Sequence, residues 1–421
     1  MAEEEFLTDR FLGELTAVGE VDILVGIPTS NNAGTVGQVV TAAQAGLIRY
    51  FPRARAVVIN ADANSRDGTA EAVIGASIES YRALLKAAPL RTMHRLTTSY
   101  HPNFGKGGAW HIFAAAADLL RAKACAVFSP DLASFTPEWV DYLVKPVYKE
   151  GFDLVAPVYQ RPALGGLLIK NIVSPMVQGV YGRSLREPAG TEIGFSGKLA
   201  SQLLNQQAWQ EEAVQLAPEL WATTTAVVSN YRIGQSYLGP RVPASKRSLP
   251  DVVTSIREVV GALFRFIEMH SSFWTQPKNG EPVPNLGAEY SPAAENVHVQ
   301  RVQMLQTFRN GVTELASILQ SILSPPTLAD IRTIASLNDE QFQYPDDLWV
   351  KTVYDFEASF HHSVMNRDHL LQALVPLYQG RVGAFVAESQ STEPVSFEQR
   401  LEGLSRHYVE ALPYLIERWG G

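Results

Sequence analysis

Short apolar runs alternate with longer segments of helical periodicity through the first half of the chain. VDILVGIPT, residues 21–29, is apolar from Ile23 to Pro28, and AVVINAD at 56–62, residues 90–98, ACAVF at 124–128 and DLVAPVY at 153–159 repeat the pattern. Runs of this length, each ended by a polar turn, predict buried strands. Between them lie helical patterns: Thr35 to Arg49, Thr69 to about Lys86, Ala109 to Arg121, and a stretch entered at Pro137 and Glu138. An earlier amphipathic pattern over 3–18 places Phe6, Phe11, Leu12 and Leu15 on one face. Strands alternating with helices at this spacing predict an α/β fold, a mostly parallel sheet covered on both faces.

The alternation stops after about residue 160. Arg161 to Tyr181 reads as a longer helical stretch interrupted by Gly165, Gly166 and Pro175, and EPAGTEIGFSG at 187–197 reads as a loop before another helix. Residues 219–231 predict a helix with an acidic start, and IGQSYLG at 233–239 a short extended segment. The polar loop PRVPASKRSLPD then carries Arg241, Lys246 and Arg247. Ile256 to Phe273 is strongly apolar and helical, QPKNGEPVPNLG at 276–287 has the composition of a linker, and 296–323, 347–380 and Phe397 to about Trp419 are helical. The expected division is an N-terminal helix over 1–20, an α/β domain over 21–250 and a helical C-terminal domain over 251–421.

Composition narrows the function classes. Hydrophobic residues make up 46% of the 421 positions and charged residues 19%, an ordinary globular balance. A formal charge of −8 argues against nucleic acid as the principal partner. The single cysteine, Cys125, excludes an intrachain disulfide and lies inside an apolar run. The acidic start MAEEEFLTDRFLGEL lacks the basic and apolar regions of a signal peptide, and no uninterrupted apolar run reaches the ~18 residues of a membrane span. The expectation is a soluble, cytoplasmic protein.

The loops after the strands, at 28–35, 62–69, 101–108 and 129–136, fall along one rim of such a sheet, where α/β proteins hold ligands. Asp62 and Asp67 in DANSRDGT either form a polar turn or accept hydrogen bonds from a ribose or base. Neither GxGxxG nor GxxxxGK[ST] is present, which disfavours a nicotinamide site and a P-loop. In NFGKGG, Gly105, Gly107 and Gly108 allow close backbone approach to a ligand, and Lys106 can meet a phosphate as a point charge. Asp131 in FSPDLASF is a candidate divalent-cation ligand; Ser134 and Thr136, nearer the next helix, are better caps for it. Glu192 and Glu219 are candidates to orient an acceptor hydroxyl or take its proton, although Glu219 also suits the amino end of a helix. His361 and His362 are adjacent on a helix, point about 100° apart and do not read as a chelate.

In order, these landmarks resemble the nucleotide-diphospho-sugar glycosyltransferases of the GT-A fold, and within them the mannosylglycerate synthase and glucosyl-3-phosphoglycerate synthase family, over roughly residues 20–275. VGIPTSNNAGTV is similar to the opening strand and base-holding loop, which implies nucleotide contacts at Pro28, Thr29, Ser30 and Asn32. INADANSRDGT is similar to the second strand's acidic end and implies that Asp62 meets the base or ribose. NFGKGGAW is similar to the GKG loop and implies donor contacts at Lys106 and Gly107. FSPDLASFTPEWV resembles the DxD strand end with its metal-ligating second acid at Asp131. REPAGTE and ELWATTTAV resemble the segments near the transferred sugar and acceptor, giving Glu192 and Glu219. Two positions depart from the pattern: Ser129 replaces the first acid of DxD, and 235–250 contains no histidine.

The resemblance implies a GT-A domain with a C-terminal helical extension. It also implies transfer of glucose or mannose from UDP- or GDP-hexose to a small hydroxylated acceptor such as glycerate or 3-phosphoglycerate, with retention, as in compatible solute biosynthesis. The implied cofactor is Mg2+ or Mn2+ at Asp131, or its partial replacement by Arg241, Lys246 or Arg247, and a homodimer is left open as the assembly. A sugar nucleotidyltransferase and a non-catalytic nucleotide-sugar-binding relative remain as alternatives.

Overall fold

The protein is described here from a computed structural model covering residues 7–76, 93–162, 164–244, 251–276, 282–287, 300–390 and 394–420. The described chain divides into two units. One comprises 1–160, 187–248 and 283–290, and the other 161–186, 249–282 and 291–421. The second therefore takes a stretch, 161–186, that lies inside the α/β domain expected from the sequence. Among the described residues no helix is long and apolar enough to cross a membrane.

The first unit is built on a sheet of order β3-β2-β1-β4-β6-β5-β7-β8. The strands are β1 Ile23–Thr29, β2 Ala56–Asp62, β3 Met93–Ser99, β4 Ala124–Val127, β5 Leu154–Gln160, β6 Ile193–Ser196, β7 Ile233–Pro240 and β8 Asn285–Leu286. β1 pairs with β2 and β4 in parallel, and β2 with β3. The central strands are buried along nearly their whole length, which is why they read as unbroken apolar runs rather than alternating ones. Helices Val36–Tyr50 and Pro137–Glu150 cover one side, where Val39, Val40, Leu143 and Val144 join the strand residues Ile23, Val25, Val58 and Ala126 in a continuous core. The mixed α/β sheet with its short reversed strand is the GT-A-type architecture expected from the sequence.

That reversed strand corrects the sequence expectation for 187–197. IGFS is not loop: β6 pairs antiparallel with both β4 and β5. Its direction matters, because an antiparallel strand begins beside the carboxyl end of its neighbour. Ile193 is therefore opposite Val127, and the residue before it, Glu192, arrives at the end of β4. A second device is a register shift between Val158 and Tyr159 where β5 runs along β7. Such bulges re-aim side chains at a sheet's rim, and here Tyr159 lies beside Gly239.

Smaller differences follow the same physical logic. The helix expected over 69–86 is described as Thr69–Gly75, its remainder lying outside the described residues. The expected linker 276–287 contributes β8 to the sheet edge. Thr136 stands at the N-cap position of Pro137–Glu150 without a side-chain capping bond. Ser134 instead accepts a hydrogen bond from Val242 N–H at 3.0 Å, tying the loop after β4 to the loop after β7.

In the helical unit, segment 161–186 contains a π-helical turn, Ile169–Val173, and helix Ser174–Tyr181. Its Asn171 explains the grouping. The Asn171 carbonyl accepts from Trp349 Nε1 and Tyr408 OH, and its side-chain oxygen accepts from Arg381 Nε. Arg381 is itself almost fully buried and also bonds the Tyr344 carbonyl and Asp346. Helices Asp346–His361, Arg367–Gln390 and Pro394–Glu410 carry Trp349, Arg381 and Tyr408 respectively.

Candidate active site

The carboxyl ends of β1 and β2 form the first part of the site. Their register sets Thr29 beside Asp62. Thr29 Oγ1 donates to Asp62 Oδ1 at 2.7 Å and accepts from Asn60 Nδ2 at 2.8 Å. Ser65 donates to the same carboxylate twice, from its backbone N–H at 2.7 Å and its hydroxyl at 2.6 Å. The two loops are then stitched together: Asn31 N–H donates to Ser65 Oγ, Asn32 N–H to Thr69 Oγ1, Ala33 N–H to Asp67, and Arg66 N–H to Asn31. Asp67 is held below the usual carboxylate range by hydrogen bonds from Thr69 and Ala33. The polar-turn and ligand readings of Asp62 thus describe one object. Asp62 is 5% exposed and organises a turn, while Pro28 and Ser30 stand further out.

The loop after β3 leads into helix Gly105–Leu119, and Lys106 is exposed in its first turn. The glycines on either side of Lys106 pack against the protein's own chain. Gly105 has φ +52°, and a Cβ there would lie 2.6 Å from the Gln215 carbonyl oxygen; a Cβ on Gly107 would lie 2.8 Å from Gln215 Cα. The close backbone approach is to the protein's own chain, and it fixes the turn that presents Lys106. Beside that turn, burial and the nearby Asp62 push the Tyr100 phenol up to about 12.

The ends of β4, β5, β6 and β7 make the second part. Glu192 is wholly buried and accepts from four groups: Ser129 N–H at 3.3 Å, Thr191 Oγ1 at 2.7 Å, Arg241 Nε at 3.0 Å, and Tyr159 OH. Arg241 Nη2 also donates to Thr191 Oγ1 at 3.1 Å. Burial alone would raise the Glu192 pKa, but the Arg241 charge and the donated hydrogen bonds outweigh it, leaving the group below the ordinary glutamate range. Glu192 is therefore an ionised, fully engaged acceptor. Tyr159 is pushed well above its usual value by burial and by the Glu192 charge.

Glu219, in the first turn of helix Pro218–Val228, behaves oppositely. It is 5% exposed, and burial raises its pKa against the opposing charge of Lys106. Glu192 adds to the rise and Arg241 opposes it, so Lys106, Glu192 and Arg241 all act on Glu219 at this rim. Carboxylates whose surroundings push them apart suit different chemical roles. Cys125 is buried in β4, where burial pushes its thiol up, and it takes no part.

Asp131 is half-buried in the loop after β4. That loop is fastened to the one after β7 by Ala133 N–H to the Val242 carbonyl at 2.9 Å and by Ala244 N–H to the Asp131 carbonyl at 3.4 Å. Among the described residues, no group of three His, Cys, Asp or Glu side chains is placed to hold a metal ion. Ser129 faces Glu192 through its N–H, and the neighbour supplied by β7 is a guanidinium. These residues do not fit a protein-built divalent-cation cage, which needs several oxygen ligands. Lys246 and Arg247 lie outside the described residues. His361, with its ring stacked 3.7 Å from Trp419 and its Nδ1 3.6 Å from Glu268, is engaged in the helical unit.

Sequence reasoning reached Asp62, Lys106, Asp131, Glu192 and Glu219, and it noted Arg241 only as a loop cation. It missed Tyr159, Thr191 and Ser65. Tyr159 had one local signal, a phenol at the carboxyl end of an apolar run.

No family model matches the chain, and no curated protein does. Solved structures are similar to it. Glucosyl-3-phosphoglycerate synthase from Mycobacterium tuberculosis in complex with phosphoglyceric acid matches with TM-score 0.41 and 20% identity, over 64% of this chain and 86% of that one. The same enzyme in complex with Mg2+ and uridine diphosphate matches with TM-score 0.41 and 20% identity, over 64% and 85%. A mycobacterial protein matches with TM-score 0.42 and 21% identity, over 63% and 80%. Values this low assign the chain neither those ligands nor that reaction.

Proposed function

We propose that the α/β unit is a GT-A glycosyltransferase. It moves glucose or mannose from a UDP- or GDP-sugar to a small hydroxylated acceptor such as glycerate or 3-phosphoglycerate, with retention at the anomeric carbon. The observation that carries the reading is the convergence of Lys106, Arg241, Glu192 and Glu219 at one rim, with a buried carboxyl raised by burial and opposed by the lysine. A perturbed acid beside cations at the carboxyl ends of strands suits a leaving group that gathers negative charge.

In this reading the turn built on Thr29, Asn32 and Asp62 receives the nucleoside, with Pro28 and Ser30 at its edge. The bond between the anomeric carbon and the diphosphate oxygen breaks, and one between that carbon and the acceptor oxygen forms. The departing diphosphate keeps the electron pair, and Lys106 and the positive end of its helix stabilise it. The acceptor proton passes to the leaving phosphate oxygen or to the Glu219 carboxylate when that group is deprotonated. Glu192, already saturated with donors, fixes the site's geometry rather than accepting a further proton. The Mg2+ or Mn2+ expected from the sequence would find one described carboxylate, Asp131, and no step above depends on it. A soluble cytoplasmic enzyme acting on small molecules belongs to the same proposal.

One observation favours a second reading, a nucleotide-sugar-binding protein without turnover: Glu192 is closed off by its four donors. Supplying UDP- and GDP-hexoses with acceptors and following free nucleoside diphosphate separates the two. Transfer is expected to fall by about 10²-fold or more in Lys106→Ala, the scale of losing one stabiliser of developing charge. Asp131→Ala in a folded protein reads the contribution of that loop. Saturable donor binding without any product would select the second reading, and wild-type rates in both variants would sink the first.

A further inference from the structure

Resting on the glycosyltransferase reading, we propose that the fixed positive charge meeting the donor's diphosphate beside β4 is Arg241, so that nucleoside diphosphate binding needs no divalent ion. Three features carry this. The protein ligands for a cation are sparse: no group of three His, Cys, Asp or Glu side chains is placed to hold one among the described residues, and the Ser129 backbone is turned to Glu192. Arg241 reaches the same strand end, because its Nε bonds the carboxylate that accepts Ser129 N–H. It is also immobilised, with Nε and Nη2 occupied by Glu192 and Thr191.

A guanidinium carries five N–H donors; Glu192 and Thr191 take two, Tyr159 bonds the group as well, and donors remain beyond these. The side chain keeps 25% of its surface exposed, whereas its partner Glu192 keeps none. The Glu192 charge is already met from other directions by Ser129 N–H, Thr191 and Tyr159. The arrangement therefore presents the outer edge of a cation with its counter-charge tucked behind it. Such an edge pairs with phosphate oxygens in fork geometry, which a lysine cannot reproduce. Arg241 and Lys106 both act electrostatically on Glu219, so the two cations bracket one acid at the rim. A buried ion pair is a weak source of net stability, and anchoring a reactive-site cation gives this one a purpose.

The test is equilibrium binding of UDP, GDP and the corresponding monophosphates to the full chain, in EDTA and with Mn2+. Wild type is expected to bind UDP or GDP in EDTA. Arg241→Lys is expected to weaken that binding roughly 10- to 100-fold, as loss of a charge-assisted hydrogen bond predicts, while monophosphate binding changes far less. Because removing Arg241 alone leaves Glu192 buried and unpaired, the Glu192→Gln/Arg241→Gln double variant provides a second measurement and is expected to show the same selective loss. Binding that requires Mn2+ overturns the proposal and leaves the glycosyltransferase reading intact. Wild-type diphosphate affinity in either variant also overturns it. Failure of UDP and GDP to bind under both conditions overturns this proposal and the glycosyltransferase reading together.

Discussion

Glu192 and Glu219 are both glutamates, both buried and both at the same rim, and they titrate in opposite directions. Burial pushes each upward. Glu192 receives a guanidinium and three further donors and ends below the ordinary glutamate value of 4.5; Glu219 is opposed chiefly by Lys106 and ends above it. The signs have opposite consequences for stability. Glu192 contributes stability that is full above its unfolded value and is lost as pH falls through its lowered native pKa. Glu219 binds its proton more tightly in the native state, so its contribution is full below 4.5 and is lost as pH rises through the native pKa. Glu219→Gln should therefore become more stable relative to wild type as pH rises from the ordinary glutamate range towards neutrality. Thermal unfolding across that range measures it, and parallel profiles would show that Glu219 is not perturbed. At this scale little was legible in advance. The identity of both acids was, but the sign of each shift depends on partners far away in sequence, such as Arg241 for Glu192.

The elements that place these side chains differ in how openly the sequence displays them. β1, β2, β4 and β5 are unbroken apolar runs because parallel strands are covered on both faces. β6 is four residues long, contains one glycine and is followed by another, and no periodicity fits in so short a span. Only pairing with β4 and β5 makes it a strand, and only its reversed direction brings Glu192 to Ser129. The glycines of NFGKGG were legible as a close approach, but not what they approach. Gly105→Ala tests that reading. The left-handed φ and the contact with the Gln215 carbonyl cannot both be kept with a Cβ. A loss of about 1–3 kcal/mol in urea unfolding is expected, together with weaker nucleoside diphosphate binding as the Lys106 turn shifts. Unchanged stability and affinity would mean that the turn relaxes without cost.

Across the whole molecule, a helical region after about residue 250 was legible in the sequence. The transfer of 161–186 to the helical unit was not, because it rests on Asn171 meeting Arg381, Trp349 and Tyr408 more than 170 positions away. That unit also contains Glu357, fully buried with neither carboxyl oxygen hydrogen-bonded. Burial, reinforced by Glu268, raises it well above its usual value, so its proton is bound on folding and the unit loses stability as pH rises. Glu357→Gln should remove that loss and unfold at higher temperature than wild type on the alkaline side, and a larger alkaline loss in the variant would contradict the assignment. The α/β unit carries the account's central claim, and hexose transfer itself tests it most directly. The full chain is incubated with UDP- or GDP-glucose or -mannose and with glycerate or 3-phosphoglycerate, and products are followed by mass and by the anomeric NMR signal. The account predicts one hexose added per nucleoside diphosphate released, with the donor's anomeric configuration retained. Donors left intact with every acceptor, or pyrophosphate formed from sugar phosphate and nucleoside triphosphate, would contradict it.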